Sequence, residues 1–195
     1  MNMEGRIFMN DMRKNNEART GANRVDNRAG KYLTFRLAQE EYGLEILKVR
    51  EIIGLMDITK VPKTPHDIRG VINLRGKVIP VLDLRLKFGM EAKQDTEETC
   101  IIVVDIAGED GSILMGILVD AVSEVLDIQS SEIEDAPTFG ADVDTRFILG
   151  IGKVKNTVKI LLDIDRVLTG VDLASVDNIN LDENPVVQET TEMAM

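Results

Sequence analysis

The alternation of apolar and polar positions is clearest between residues 68 and 89, I-R-G-V-I-N-L-R-G-K-V-I-P-V-L-D-L-R-L-K-F-G. Two apolar, β-branched runs, 68–74 and 77–82, flank Arg75-Gly76. This predicts a hairpin in which Gly76 takes the positive φ of a tight turn. Pro80 has no amide to give a ladder, so the second strand is expected either at an edge or with its proline on an unpaired side. Asp83 is placed to cap a short helix over 84–88, and Gly89 to close it in the left-handed conformation.

The same pattern returns further on. A gap-free shift of eighty positions lays Gly70 on Gly150, Leu74 on Val154, Gly76 on Asn156, Val78 on Val158, Leu82 on Leu162 and Asp83 on Asp163. Gly76 and Asn156 are the informative pair, because Asn is the best non-glycine occupant of a left-handed turn position. Asp163 again precedes a short apolar stretch, 164–168, that ends at Gly170. A second echo precedes each copy: Y-G-L-E-I-L-K-V-R-E-I-I from Tyr42 matches M-G-I-L-V-D-A-V-S-E-V-L from Met115, with Gly43 on Gly116, Val49 on Val122 and Glu51 on Glu124. Short β-rich runs resemble one another easily. Two echoes in one order, each with matching turn and cap residues, predict a duplicated β subdomain.

The remaining elements follow from the same pattern. A first strand is expected over 31–37, and a turn at Glu40-Glu41 leads into 42–46. Residues 47–53 read equally as a strand or one helical turn, and 122–126 repeat that ambiguity. Pro62 and Pro65 mark 57–67 as a loop, and 91–98 is charged and expected as an exposed link. The β-branched run 99–106 predicts a covered strand, with 112–119 pairing back after a turn at 108–111. The acidic stretch 130–144 is expected as a surface loop. The domain reading is thus a mobile arm over 1–30, a paired module over 31–170 divided into 31–90 and 97–170, and an acidic tail over 171–195.

Composition narrows the function classes. The aromatic share is 4% with no Trp, so the core must be built of Val, Ile and Leu, which favours strands. A formal net charge of −11 argues against nucleic acid or an anionic lipid surface as the main partner. With no signal-like apolar region, and with runs such as 113–119 too short to span a bilayer, the expected location is the cytoplasm, without membrane insertion. Cys100 is the single cysteine and reads as a buried structural thiol, and His66 is the single histidine, so no zinc site of the usual kind is expected. Neither a Gly-rich phosphate loop nor a nucleophile with a poised base is found, and the paired carboxylates Glu40-Glu41 and Glu97-Glu98 are expected in loops. No metal, cofactor or catalytic residue is expected.

N-L-R-G over 73–76, followed by V-I-P-V-L-D-L-R-L-K-F, together with E-E-Y-G-L-E-I-L-K-V-R-E-I-I-G, G-V-I-N-L-R-G and M-G-I-L-V-D-A-V-S-E-V-L, resembles the bacterial chemotaxis coupling proteins of the CheW family, from about Tyr32 to Leu168. The resemblance implies a mostly β fold of two pseudo-symmetric, SH3-like, five-stranded barrels with short helices. It also implies an adaptor without catalysis that links the cytoplasmic tips of methyl-accepting chemotaxis receptors to the regulatory domain of the histidine kinase CheA, recruited to membrane receptor arrays. Carried over by motif, Val49, Glu51, Gly70 and Arg75 correspond to a receptor-binding groove, as do Ile101, Val122 and Val125. Such a groove suits the tip of a helical hairpin, whose apolar ridge can lie in an aliphatic slot. Each residue also has a structural reading: the valines and Ile101 as core, Gly70 as a bulge requirement, Glu51 and Arg75 as a surface ion pair. The alternatives are a paralogue serving another chemosensory pathway such as surface motility, a regulatory fragment of a kinase or fused coupling protein, and a small enzyme.

Overall fold

The computed structural model describes residues 28–108, 111–137 and 145–168. The arm as far as residue 27, the tail from 171, Gly170 and the stretch 138–144 of the acidic loop lie outside the described residues. The strands are β1 (Gly30–Leu37), β2 (Glu40–Glu45), β3 (Val49–Gly54), β4 (Ile68–Leu74), β5 (Lys77–Asp83), β6 (Cys100–Gly108), β7 (Gly111–Val119), β8 (Ala121–Ile128), β9 (Ile133–Glu134), β10 (Ile148–Val154) and β11 (Thr157–Leu162), and the helices are α1 (Leu84–Lys87) and α2 (Ile164–Leu168). They form two sheets, ordered β8-β1-β2-β11-β10-β9 and β3-β6-β7-β5-β4. These are the two SH3-like subdomains. The six-stranded sheet gains its extra member from the two-residue β9, and the other sheet has an isolated bridge, Thr59 to Val71, at the equivalent place.

The duplication holds down to single hydrogen bonds. Ile68 N–H donates to Pro65 O at 3.0 Å, and Ile148 N–H to Thr145 O at 2.9 Å; Asp83 N–H donates to Asp67 O and Asp163 N–H to Phe147 O, both at 2.8 Å. Each pair is related by the same eighty positions. The pairing register slips at Gly70 and again at Gly150.

The strands do not sort at the expected division between 31–90 and 97–170. β1 and β2, from the first unit, join the sheet that holds the second hairpin, while β6 and β7 join the first hairpin. Gly43 on β2 pairs in parallel with Leu161, and Gly116 on β7 with Val81. These glycines explain the exchange physically. A Cβ at Gly43 would stand 2.8 Å from Leu161 Cδ2, and one at Gly116 would stand 3.2 Å from Val81 Cγ2, so each echo's glycine is the flat spot that admits the other unit's hairpin.

A shared core lies between the sheets. Leu33, Phe35 and Leu44 meet Leu82, Ile102, Val104 and Met115 there, with Ile164 and Val167 of α2 closing one side. Four of the few aromatic residues are spent on this joint: Phe35, Tyr42, Phe88 and Phe147 stack in series with centroids 5.8, 5.8 and 5.3 Å apart. Such pairs add about 0.5–1.5 kcal/mol each beyond the area they bury. Smaller cores fill each barrel, one around Tyr32, Ile128 and Leu161 and the other around Ile72, Ile79 and Ile101.

Two ambiguities resolve. Residues 47–53 contain a 3₁₀ turn, Ile46–Lys48, and then β3, and 122–126 are strand throughout. β5 is interior, and Pro80 stands opposite Val71 one residue before parallel pairing to β7 begins at Val81, so its missing amide deprives no ladder. The short β9, Ile133–Glu134, lies where a loop was expected.

Candidate functional site

The two hairpin turns present matched side chains. Arg75 and Gly76 take φ of 53° and 84°, and Lys155 and Asn156 take 50° and 62°. Two successive positive φ values define the turn that matches strand twist, and Gly and Asn tolerate the second position. Asn73 Oδ1 accepts the Gly76 N–H at 2.9 Å, which holds the first turn shut. Asp83 Oδ1 accepts Arg85 N–H at 3.0 Å and Leu86 N–H at 3.3 Å, capping α1, and Asp163 Oδ1 accepts Arg166 N–H at 3.2 Å. The capping roles of Asp83 and Asp163 are therefore real bonds. Gly89 takes the left-handed φ of 71° that ends the first helix.

From the first of these turns Arg75 reaches back to β3, where its Nη2 lies 2.6 Å from Glu51 Oε1. The Arg75 side chain is 77% exposed, so the pair contributes about 0–1 kcal/mol. Next to Glu51 in the chain, Ile52 is exposed on the opposite face of β3, and Leu47, Leu55 and Met56 are further exposed apolar residues of the same segment. On β8, Val125 is half exposed. Val49 and Val122 are partly buried, both against the shared core.

Two of the expected groove residues are not surface. Ile101 has 0% exposure and sits in the core of the β3–β7 sheet, where truncating it would cost about 2–5 kcal/mol and act on any partner only indirectly. Gly70 is buried with φ of 141°, and a Cβ there would stand 2.1 Å from Thr59 O. Its role is to let the 59–71 bridge close over the bulge.

A second ion pair escaped the sequence reading. Lys155 Nζ lies 3.6 Å from Glu124 Oε2 on β8. The signal was present, since eighty positions carry Arg75 to Lys155 and the other echo carries Glu51 to Glu124.

The reactive side chains have structural settings. Burial pushes the Cys100 thiol up, away from the thiolate form. His66 is exposed. The Ser112 hydroxyl and the Arg50 guanidinium hold the Asp105 carboxyl below the usual carboxylate range. Among the described residues no group of three or more His, Cys, Asp or Glu is placed to hold a metal ion, and no helix is long and apolar enough to cross a membrane.

Comparison with known proteins agrees with the architecture. The CheW-like domain family model matches residues 31–172. A chemotaxis protein CheW of Klebsiella aerogenes is 40% identical over 148 residues, covering 76% of this chain and 87% of the relative. A chemotaxis protein CheW of Bacillus subtilis is 37% identical over 139 residues, covering 71% and 86%. The crystal structure of the scaffolding protein TtCheW from Thermoanaerobacter tengcongensis superposes with a TM-score of 0.64 at 39% identity, covering 72% of this chain and 93% of that one.

Proposed function

The chain belongs to the CheW family, a family of chemotaxis scaffolds, and from that premise we propose that it joins the cytoplasmic helical tips of methyl-accepting chemotaxis receptors to the regulatory domain of the histidine kinase CheA. Its role is that of a coupling adaptor in chemosensory signalling. On this reading it performs no catalysis, needs no cofactor, works in the cytoplasm, and is drawn to membrane receptor arrays by its partners. Residues 31–170 are the coupling module, and the 1–30 arm and 171–195 tail are appendages to it.

The observation that carries the reading is the Arg75–Glu51 pair. It ties the first hairpin turn to the edge strand β3 and is held at 2.6 Å, although exposure leaves it little to add to stability. An ordered guanidinium beside Ile53, which shares the Glu51 face of β3, suits a helix that buries apolar side chains and presents a polar flank. Glu51, Arg75 and Val125 face such a helix, with Val49 and Val122 supporting them from the core.

Arg75→Ala tests this. The melting temperature is expected to stay within about 2 °C of the parent, since the pair is worth at most ~1 kcal/mol. Binding of a purified receptor cytoplasmic fragment is expected to weaken several-fold, and ternary assembly with the kinase to weaken with it. Equal loss of stability and binding would reduce Arg75 to a structural part.

A further inference from the structure

We infer that the receptor slot carries two ionic clasps, Glu51 with Arg75 on one barrel and Glu124 with Lys155 on the other, and that each meets one helix of a single antiparallel helical hairpin. This rests on the proposed receptor-binding reading and extends it to residues that reading does not include.

The equivalence is geometric as well as sequential. β3 and β8 are the outermost strands of their sheets, on the same side of the strand order. Each carries a register slip at the equivalent place, between Val49 and Glu51 opposite β6, and between Val122 and Val125 opposite β1. Bulges at sheet edges re-aim side chains, and here both send a glutamate outward. The second bulge is locked by the fully buried Thr34, whose hydroxyl donates to Glu124 O at 2.8 Å and accepts Glu124 N–H at 3.2 Å. In both barrels the base stands at the first positive-φ position of the hairpin turn, so Arg75 and Lys155 leave the backbone alike. The next residue along each edge strand is an exposed aliphatic: Ile52 at 44% and Val125 at 49%.

Val49 and Val122, each three residues before these aliphatics, both lean on the one core shared by the sheets. Pseudo-symmetry therefore gives the two clasps equivalent positions relative to that shared core. An antiparallel helical hairpin has an approximate two-fold axis of its own, with its helices about 8–10 Å apart. A pseudo-two-fold slot matches it helix for helix. The clasps differ in strength, since Lys155 stands 3.6 Å from its glutamate against 2.6 Å for Arg75 and offers a point charge in place of a planar fork. Both members of the second pair are more than half exposed, so stability alone gives little reason for it.

The test uses the full chain with Lys155→Glu, Glu124→Lys and, as reference, Arg75→Glu. Titration calorimetry is run against a receptor cytoplasmic hairpin fragment and, separately, the kinase regulatory domain. Lys155→Glu and Glu124→Lys are each expected to weaken hairpin binding about three- to tenfold, less than Arg75→Glu does, with kinase-domain binding retained and melting temperatures within about 2 °C of the parent. Parent-like hairpin binding by both second-clasp variants, while Arg75→Glu binds poorly, would overturn this inference and leave the receptor reading standing. Loss of kinase-domain binding without loss of hairpin binding would overturn it as well, by giving that face to the other partner. A parent chain that fails to bind the hairpin would sink both.

Discussion

Gly70→Ala separates a structural from a contact role at one of the residues the family resemblance assigns to binding. The new Cβ would stand 2.1 Å from Thr59 O and 2.8 Å from Thr59 C, more than about 1 Å short of an ordinary carbon–oxygen contact. Thr59 must retreat, and with it go two bridge bonds, Thr59 N–H to Val71 O and Val71 N–H to Thr59 O, both 2.9 Å. These contribute about 1 kcal/mol each, and a side chain at φ of 141° adds about 1–3 kcal/mol of backbone strain. The sum, about 3–5 kcal/mol, corresponds to a fall in melting temperature of roughly 10–15 °C for a domain of this size. Two glycines calibrate the number. At Gly76, with φ of 84° and nothing within 4 Å, alanine meets strain but no clash, and the cost is about 1 kcal/mol. At Gly150 a Cβ meets Ile133 Cγ2 at 2.7 Å and Glu134 O at 2.8 Å without a positive φ, so the cost falls between the two, about 1–3 kcal/mol. Urea denaturation of the three variants reads the order directly. A Gly70→Ala protein as stable as the parent but deficient in receptor binding would refute the reasoning and make Gly70 a contact.

Other perturbations have equally definite outcomes. Lys159 is buried at the position equivalent to Ile79 of the other barrel and pairs with Glu41; Lys159→Met is expected to leave denaturant stability within about 1 kcal/mol or raise it, whereas Glu41→Ala, which strands a buried ammonium, lowers it by about 2–3 kcal/mol. Asp83→Ala removes a helix cap and also leaves Arg69 with only Asp95, so it costs about 2–3 kcal/mol in the same assay, against about 1 kcal/mol for Asp163→Ala. Because the folded Asp105 carboxyl is held low by Ser112 and Arg50, its contribution is present above its unfolded value near pH 4 and is lost as pH falls through the folded value. A pH series of melting temperatures should therefore fall less steeply below about pH 4 for Asp105→Asn than for the parent.

Much of this protein was written in local chemistry. Short β-branched runs, a Gly or Asn at the second turn position, and an Asp before each helix are decided by neighbours in the chain. The 68–89 unit and its copy eighty residues later could therefore be located, and the caps at Asp83 and Asp163 named. Glu51 and Arg75 came from the family resemblance rather than from local chemistry, and they do meet. The tertiary structure alone decided which strand lies beside which. Alternation fixes which face of a strand is buried but not its neighbour, so the exchange of β1–β2 and β6–β7 between units was invisible until Gly43 and Gly116 were seen to receive the opposite unit's hairpin. Packing likewise decided which apolar residues are surface. Ile101 and Val125 are both β-branched strand residues, yet β6 is covered on both faces while β8 ends a sheet, and of the two only Val125 is exposed.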